Sequence, residues 1–155
     1  MTDSRIHRAT RDILATPRAI YRAFLDAQAV SSWRPPQGMA ARVERFDPRI
    51  GGGYRMAFIY PDGAAGHGKT SAREDLFEGR FTDLLPDRRI VEEVQFHSDD
   101  PRFAGTMTIT TTIEKAKGGA SKVTFLAENV PPGISEADHV EGMTSTLRNL
   151  ADFLE

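Results

Sequence analysis

The chain contains no cysteine, and no apolar run approaches the roughly 20 residues that span a bilayer. Without thiols there can be no disulfide, no thiolate metal ligand and no cysteine nucleophile. The formal charge of −2 at pH 7 gives no general attraction to nucleic acid or to an anionic membrane. The first residues also lack the unbroken apolar stretch of a signal peptide. We therefore expect a cytoplasmic protein with no nucleic-acid partner and no membrane insertion.

The composition is otherwise that of an ordinary globular domain. Of 155 residues, 39% are apolar and 27% are charged, with nine prolines and thirteen glycines to form turns. A chain of this length can bury most of its apolar surface in one core, and no repeat or linker divides it. We predict a single domain over residues 1–155.

The spacing of apolar residues predicts a strand, two short helices, about six further strands and a long closing helix. The first helix has Thr16 as a cap and Pro17 at its first position, and the second spans Ala27–Trp33 before two prolines. Ser135 can cap the closing helix. Its apolar stripe predicts a face that covers other elements: Val140, Met143, Leu147, Leu150 and Leu154. The predicted strands are 4–14, 41–46, 53–60, 75–85, 89–97, 103–113 and 121–130.

The strand at 103–113 shows how these elements pack. One face carries Phe103, Met107, Ile109 and Ile113, and the other carries four threonines, which is typical of an antiparallel sheet covered on one side. A strongly twisted sheet of this size curls, and a long helix can lie across its concave side. The sequence thus predicts an α+β fold with the closing helix covering the sheet.

Several motifs have a structural explanation that competes with a functional one. Residues 63–70, GAAGHGKT, match the phosphate-binding pattern G-x-x-x-x-G-K-[ST], but no buried parallel strand precedes them and no firm helix follows. We interpret them as a glycine-rich connection. The glycines of 50–55 precede a strand and indicate a tight turn. His97, Asp99 and Asp100 indicate a solvated turn, so we predict neither a metal site nor a cofactor.

Two sets of residues remain as candidates for function. Glu92 shares the inward face of its predicted strand, where it needs a partner such as Arg55 or Arg80, or else could anchor a ligand or act as a weak candidate for a catalytic base. Aromatic residues and methionines can converge beneath the helix, where they would either fill a core or line a pocket. The candidate ligand-binding residues are Trp33, Tyr54, Met56, Phe58, Phe77, Phe81, Phe96, Met107, Phe125, Met143 and Leu147.

Four motifs, taken as a series, resemble the SRPBCC (START-like) superfamily. They are TPRAIYRAFLDAQAVSSW, DPRIGGGYRMAF, FEGRFTDLLPDRRIVEE and the paired strands and closing helix from GTMTITTTIE to HVEGMTSTLRNLADFL. More narrowly, the chain is similar to bacterial homologues of the activator of heat-shock-protein-90 ATPase, C-terminal domain type. The resemblance implies a helix-grip fold, in which a curved antiparallel sheet of six to seven strands wraps around the closing helix. It also implies a deep apolar cavity between sheet and helix.

The resemblance leaves three functions open, because the superfamily includes binders, enzymes and co-chaperone domains. The leading hypothesis is a non-enzymatic protein that binds a small apolar or amphipathic molecule, lipid-like or aromatic, under the closing helix. Trp33 and the proline loop would lie near the mouth, and Met143, where relatives often have tryptophan, would shape the cavity. The alternatives are a cyclase- or hydrolase-like enzyme using the same cavity, and a module that regulates a chaperone. A homodimer is possible.

Overall fold

The protein is described here from a computed structural model, which places residues 5–61, 68–71 and 73–155. Within these residues the chain forms seven strands, three α-helices and two short 3-10 turns, at Pro101–Phe103 and Lys117–Gly119. The helices and strands follow the predicted order: β1 Ile6–Ile13, α1 Pro17–Phe24, α2 Ala27–Trp33, β2 Ala40–Phe46, β3 Gly53–Ile59, β4 Glu74–Leu85, β5 Arg89–Phe96, β6 Met107–Lys115, β7 Ser121–Glu128 and α3 Glu136–Leu154.

All seven strands form one antiparallel sheet in the order β1-β7-β6-β5-β4-β3-β2. Strands β2 to β7 run as a meander, and β1 pairs with β7 at the far edge. The two helices α1 and α2 connect the two edge strands, so the chain crosses from one edge of the sheet to the other before the meander begins. This architecture, with α3 covering one face, is the helix-grip arrangement that the motifs imply.

The helix boundaries follow from capping chemistry at the predicted positions. Thr16 Oγ1 accepts the Ala19 amide at 3.1 Å, and Pro17 occupies the first turn of α1, where its missing amide is not needed. Asp26 caps α2 in the same way. Ser135 Oγ accepts the Asp138 amide at 3.2 Å, which confirms it as the cap of α3.

Strand β6 starts later than its pattern predicts, at Met107 rather than Phe103. Pro101 begins a 3-10 turn that Asp100 caps, and Gly105 then takes a φ of +100°, outside the range of a strand. The prediction for residues 103–106 was therefore wrong. Phe103 still packs against the core, but from the β5–β6 connection.

The strands alternate between an inner face under α3 and an outer face. Tyr54 and Met56 of β3 lie opposite Gly79 and Phe77 of β4 on the inner face, while charged side chains such as Arg55 occupy the outer one. From α3 the residues Met143, Leu147 and Leu150 are buried against this face. Among the described residues, no helix is both long enough and apolar enough to cross a membrane.

Candidate functional site

A cluster of three hydrogen-bonded polar side chains lies within the core, on the inner face of the sheet. The Tyr54 hydroxyl donates to Glu92 Oε1 at 2.6 Å, and Arg34 Nη2 lies 2.9 Å from the same oxygen. Arg34 Nη2 also donates to the Tyr54 oxygen at 3.2 Å. The Glu92 side chain is 1% exposed and that of Arg34 is 12% exposed. A buried carboxylate therefore has the cationic partner that it needs.

The electrostatics of this cluster keep Arg34 and Tyr54 in defined protonation states. Burial alone would lower the pKa of Arg34, but the adjacent Glu92 carboxylate more than offsets this and holds that pKa above its ordinary value. Burial raises the pKa of Tyr54 well above the ordinary value, and Arg34 only partly opposes the shift. Arg34 consequently stays charged and Tyr54 stays a hydrogen-bond donor.

Three elements position these side chains. Arg34 caps the end of α2, where its amide donates to the Val30 carbonyl. Its own carbonyl accepts a hydrogen bond from Thr146 of α3 at 2.9 Å. Tyr54 crosses directly over Gly79 of β4: a Cβ at that glycine would lie 2.1 Å from Tyr54 Cζ. Gly79 thus leaves the space that brings the Tyr54 hydroxyl to Glu92.

The partner of Glu92 differs from those considered in the sequence. Arg55 lies on the outer face, where it contacts Glu44 at 2.8 Å, and Arg80 is exposed. Arg34 follows the last residue of a helix and precedes two prolines, so no periodicity indicated that its side chain turns inward. Only the return of α2 towards the sheet places it there.

Most of the predicted ligand-binding aromatic residues lie in two groups of rings, one on the inner face of the sheet and one near α1. On β3 to β5, Phe77 contacts the rings of Tyr54, Phe58 and Phe96 at centroid distances of 4.8–6.1 Å. Near α1, Phe24 contacts Trp33 at 4.6 Å and Phe125 at 6.2 Å. Leu147 and three methionines are also buried: Met56, Met107 and Met143.

Side chains fill most of this space in the present conformation. Nine of the eleven predicted residues are buried, and Tyr54, Met56 and Phe81 are at most 1% exposed. Trp33 donates its indole N–H to the Ala23 carbonyl at 3.0 Å, so it ties α2 to α1. The open cavity implied by the resemblance is therefore not seen beside these residues in this conformation.

Phe58 and Phe96 are the two predicted residues that stay half-buried, and they belong to an apolar rim at one end of the inner face. The rim also includes Phe103, Ile109 and, from α3, Val140, all half-buried and packed against the core. Lys69 connects two of its members, with Nζ 5.3 Å from the Phe96 ring centroid and 5.7 Å from that of Phe103. At the opposite end, Ile13, Ile90 and Leu150 are fully buried.

The other sequence candidates lie outside this region or serve the local structure. Residues 63–67 of the glycine-rich motif lie outside the described residues. Lys69 and Thr70 of the same motif are occupied: Lys69 contacts Asp75, and Thr70 Oγ1 accepts the Leu76 amide. His97 Nε2 lies 2.8 Å from Glu78 Oε2. Among the described residues, no three His, Asp or Glu side chains converge as metal ligands.

Two surface hollows lie away from α3. One, of about 410 Å³, lies beside Arg42 and Glu74, and the other, of about 490 Å³, lies beside Glu78 and His97. Both are bordered largely by charged and polar side chains of strand ends and of the outer face. Of the predicted ligand-binding residues, only Phe96 borders either hollow.

A histidine pair next to the rim had no signal in the sequence. His7 Nδ1 lies 2.8 Å from His139 Nδ1, which joins β1 to the first turn of α3. Burial lowers the pKa of His139 to about 4, and His7, Lys69 and Arg5 add to this effect. Burial and Arg5 also lower the pKa of His7, against the opposing effect of Glu136. The two histidines are 132 residues apart.

Comparison with known proteins identifies the family. The sequence model described as "Activator of Hsp90 ATPase homolog 1-like protein" matches residues 14–155. A crystal structure from Chromobacterium violaceum is 31% identical and has a TM-score of 0.84, covering 97% of this chain and 96% of the other. None of the curated proteins that were compared matches the chain.

Two further solved structures share the fold. The Mll3558 protein of Rhizobium loti is 25% identical with a TM-score of 0.72, covering 98% of each chain. The AHSA1 protein of Silicibacter pomeroyi is 20% identical with a TM-score of 0.73, covering 96% of each chain. The motif series, the helix-grip architecture and the family match agree: the chain belongs to the Activator of Hsp90 ATPase homolog 1-like family of the SRPBCC superfamily.

Proposed function

We propose that the protein binds a small apolar or amphipathic molecule between the sheet and α3, and that the molecule enters at the apolar rim. The contrast between the two ends of the inner face supports this proposal most. Phe58, Phe96 and Ile109 point to the inner face but remain half-buried, whereas Ile13, Ile90 and Leu150 at the other end are fully buried. Apolar side chains exposed around a concave entrance are typical of ligand sites.

Binding requires the side chains behind the rim to move, because they occupy the space now. Three of them are methionines, Met56, Met107 and Met143, whose unbranched side chains change rotamer more easily than branched ones. The family fold commonly binds hydrophobic ligands, and a repacked methionine layer is one way to make room for such a ligand here.

The first experiment measures binding of N-phenyl-1-naphthylamine, an uncharged dye whose fluorescence rises in an apolar environment. Met143→Trp fills space behind the rim, and Val140→Trp narrows the rim from α3 without entering the buried layer. We expect each variant to weaken dye binding by about tenfold or more, as the loss of one well-packed contact region does. Phe153→Trp is the matched control, since Phe153 lies on the exposed side of the same helix.

Urea unfolding of each variant shows whether it is folded, because overpacking at Met143 costs roughly 1–3 kcal/mol. If Val140→Trp folds and binds the dye as the native protein does, the rim is not the entrance. If the native protein does not bind the dye at all, the proposed function loses its support.

Native mass spectrometry of the freshly purified protein tests the same proposal without a chosen probe. A co-purifying mass that is lost on denaturation would identify the ligand class directly. The enzyme and chaperone alternatives predict other results: turnover that depends on Glu92, and consistent enrichment of a chaperone with the full chain. No contact among the described residues favours either of them over binding.

A further inference from the structure

The two oxygens of the buried Glu92 carboxylate have different surroundings. Tyr54 and Arg34 both contact Oε1, at 2.6 and 2.9 Å, while Oε2 makes no hydrogen bond with a described residue. The Glu92 side chain is nevertheless 1% exposed. A carboxylate in so buried a side chain is stabilised best when both of its oxygens have hydrogen-bond donors.

Glu92 lies beside one member of the apolar rim. Its cross-strand partner on β6 is Ile109, and its partner on β4 is Phe81. Directly opposed side chains on one face of a sheet lie about 5 Å apart at their Cβ atoms. Ile109 is half-buried at the rim, whereas Phe81 is 1% exposed. A molecule that enters past Ile109 therefore comes next to the Glu92 side chain.

We propose that Glu92 Oε2 accepts a hydrogen bond from the hydroxyl group of an uncharged amphipathic ligand. This inference rests on the proposed function and specifies the ligand class as an alcohol or phenol with an apolar body. Glu92 and Arg34 balance each other's charge, so the site is neutral overall. A carboxylate ligand would bring an uncompensated negative charge into the core, and it has no proton to donate to Oε2.

A hydroxyl group satisfies both sides of this buried pair. Its O–H donates to Oε2, and its oxygen can accept from the guanidinium of Arg34, whose contacts with Tyr54 and Glu92 both use Nη2. Hydrogen bonds to charged groups are stronger than those between neutral groups. A site arranged for a ligand hydroxyl also discriminates against an analogue without it, because the buried acceptor is then left unpaired.

The test compares three ligands with the same ten-carbon chain by displacement of N-phenyl-1-naphthylamine at pH 7. These are 1-decanol, its methyl ether and sodium decanoate. The ether keeps the oxygen but has no proton to donate. We expect decanol to bind about tenfold more tightly than the ether, and decanoate to bind no more tightly than the ether.

Variants locate the effect at the buried pair. Glu92→Gln and the double variant Arg34→Met/Glu92→Met should bind decanol and its ether equally, and the double variant avoids leaving one charge unpaired. Glu93→Gln, at the exposed neighbour on β5, is the control and should keep the native preference for decanol.

Different results overturn the hydroxyl assignment and the proposed binding function. Equal binding of decanol and its ether by the native protein, or tighter binding of decanoate, overturns the hydroxyl assignment while leaving the binding function intact. Unchanged preference in the folded double variant overturns it as well. Absence of binding for the dye and for all three ligands overturns the proposed function itself, and this inference with it.

Discussion

At the scale of single residues, the interaction of Arg34 with Glu92 has the greatest energetic consequence. Both charges are taken out of water, which costs several kcal/mol per ion unless each has its partner. The 2.9 Å contact and the Tyr54 hydroxyl provide that compensation. The pair therefore makes the core specific for one arrangement of α2 on the sheet, although it need not make the protein more stable than an apolar core would.

Removal of one partner should be much worse than removal of both. We expect Arg34→Met to lower the free energy of unfolding by roughly 3–5 kcal/mol, because the Glu92 carboxylate is left buried without a cation. Arg34→Met/Glu92→Met should recover most of that loss. Urea denaturation at pH 7 measures both values.

The surface pair of Arg89 with Asp83 is the control, at 2.8 Å but with both side chains substantially exposed. Arg89→Met should cost less than about 1 kcal/mol. If Arg34→Met/Glu92→Met proves as unstable as Arg34→Met, this account is contradicted. The loss of stability would then come from packing rather than from an unpaired charge.

The histidine pair predicts a pH dependence of stability. The pKa of His139 is lowered to about 4 in the folded protein, against 6.5 as its ordinary value. The unfolded chain therefore binds protons more readily than the folded protein does. The free energy of unfolding is consequently highest above pH 6.5, as far as this pair is concerned, and it decreases as the pH falls towards 4. At pH 5 the loss at His139 should reach at most about 2 kcal/mol.

His139→Gln removes this titration and should make the protein lose less stability between pH 7 and pH 5 than the native chain does. Urea unfolding at both pH values gives the difference. His97→Gln is the matched control, because His97 contacts Glu78 on the surface. If both variants show the same pH dependence as the native protein, carboxylates rather than the histidine pair govern acid stability.

At the scale of elements, α3 holds the loop that carries Arg34. Three hydrogen bonds connect them: Thr146 to the Arg34 carbonyl, Asn149 to the Pro35 carbonyl at 2.8 Å, and the Gln37 amide to Ser145 at 2.8 Å. They run along one side of α3 at consecutive turns. Because the Arg34 side chain reaches Glu92 from this loop, α3 helps to position the polar cluster as well as covering the core.

Asn149→Ala removes one of these hydrogen bonds and should lower stability by about 1 kcal/mol. Amide hydrogen exchange in the loop should become faster, because its backbone is held less firmly. Arg148→Ala, at the exposed neighbouring position, should change neither quantity. Equal effects of the two substitutions would indicate that helix propensity, not the hydrogen bond, is responsible.

Two glycines in regular elements should respond in opposite directions to alanine. Gly79→Ala places a methyl group within the Tyr54 ring, so we expect a loss of roughly 2–3 kcal/mol as the ring is displaced from Glu92. In α3, a Cβ at Gly142 meets only Pro36 Cγ, at 4.0 Å. Gly142→Ala should raise stability by up to about 1 kcal/mol. Thermal or urea unfolding measures the stability of the two variants. If Gly142→Ala is destabilising as well, the first turns of α3 have no room for a methyl group.

At the scale of the whole molecule, the sheet has a protected centre and two exposed edges. Strand β5 lies at the centre of the order, and β2 lies at an edge. A register shift between Val43 and Arg45 interrupts β2, and its charged side chains form ion pairs across the outer face, such as Arg42 with Glu74 at 2.7 Å. Such features discourage the pairing of an edge strand with another chain.

Amide exchange should follow this arrangement. We expect amides of β4, β5 and β6 to exchange most slowly, because these strands lie furthest from both edges of the sheet, and amides of β2 to exchange faster. Mass spectrometry of peptides from the native protein measures the order. Protection of β2 equal to that of β6 would contradict it, unless the same sample proves to be a dimer that covers the edge.

The sequence by itself determined the order of elements, the capping of α1 and α3, the inward position of Glu92 and the family. Each is encoded locally, in the period of apolar residues, in a cap beside its own helix, or in a series of motifs. Pro101 and Gly105 also encode the late start of β6 locally. The alternation of apolar residues and threonines after them nevertheless predicted a longer strand.

Only the tertiary structure decided which side chains meet. Arg34 reaches Glu92 across 58 positions of sequence, and His7 reaches His139 across 132, because folding brings α2 and α3 against the sheet. Tertiary structure also decided that side chains pack the space beneath α3 and that the apolar residues of the rim stay half-buried. Whether the facing side chains interdigitate depends on the distance between the layers and on rotamers, and the pattern of apolar residues carries neither.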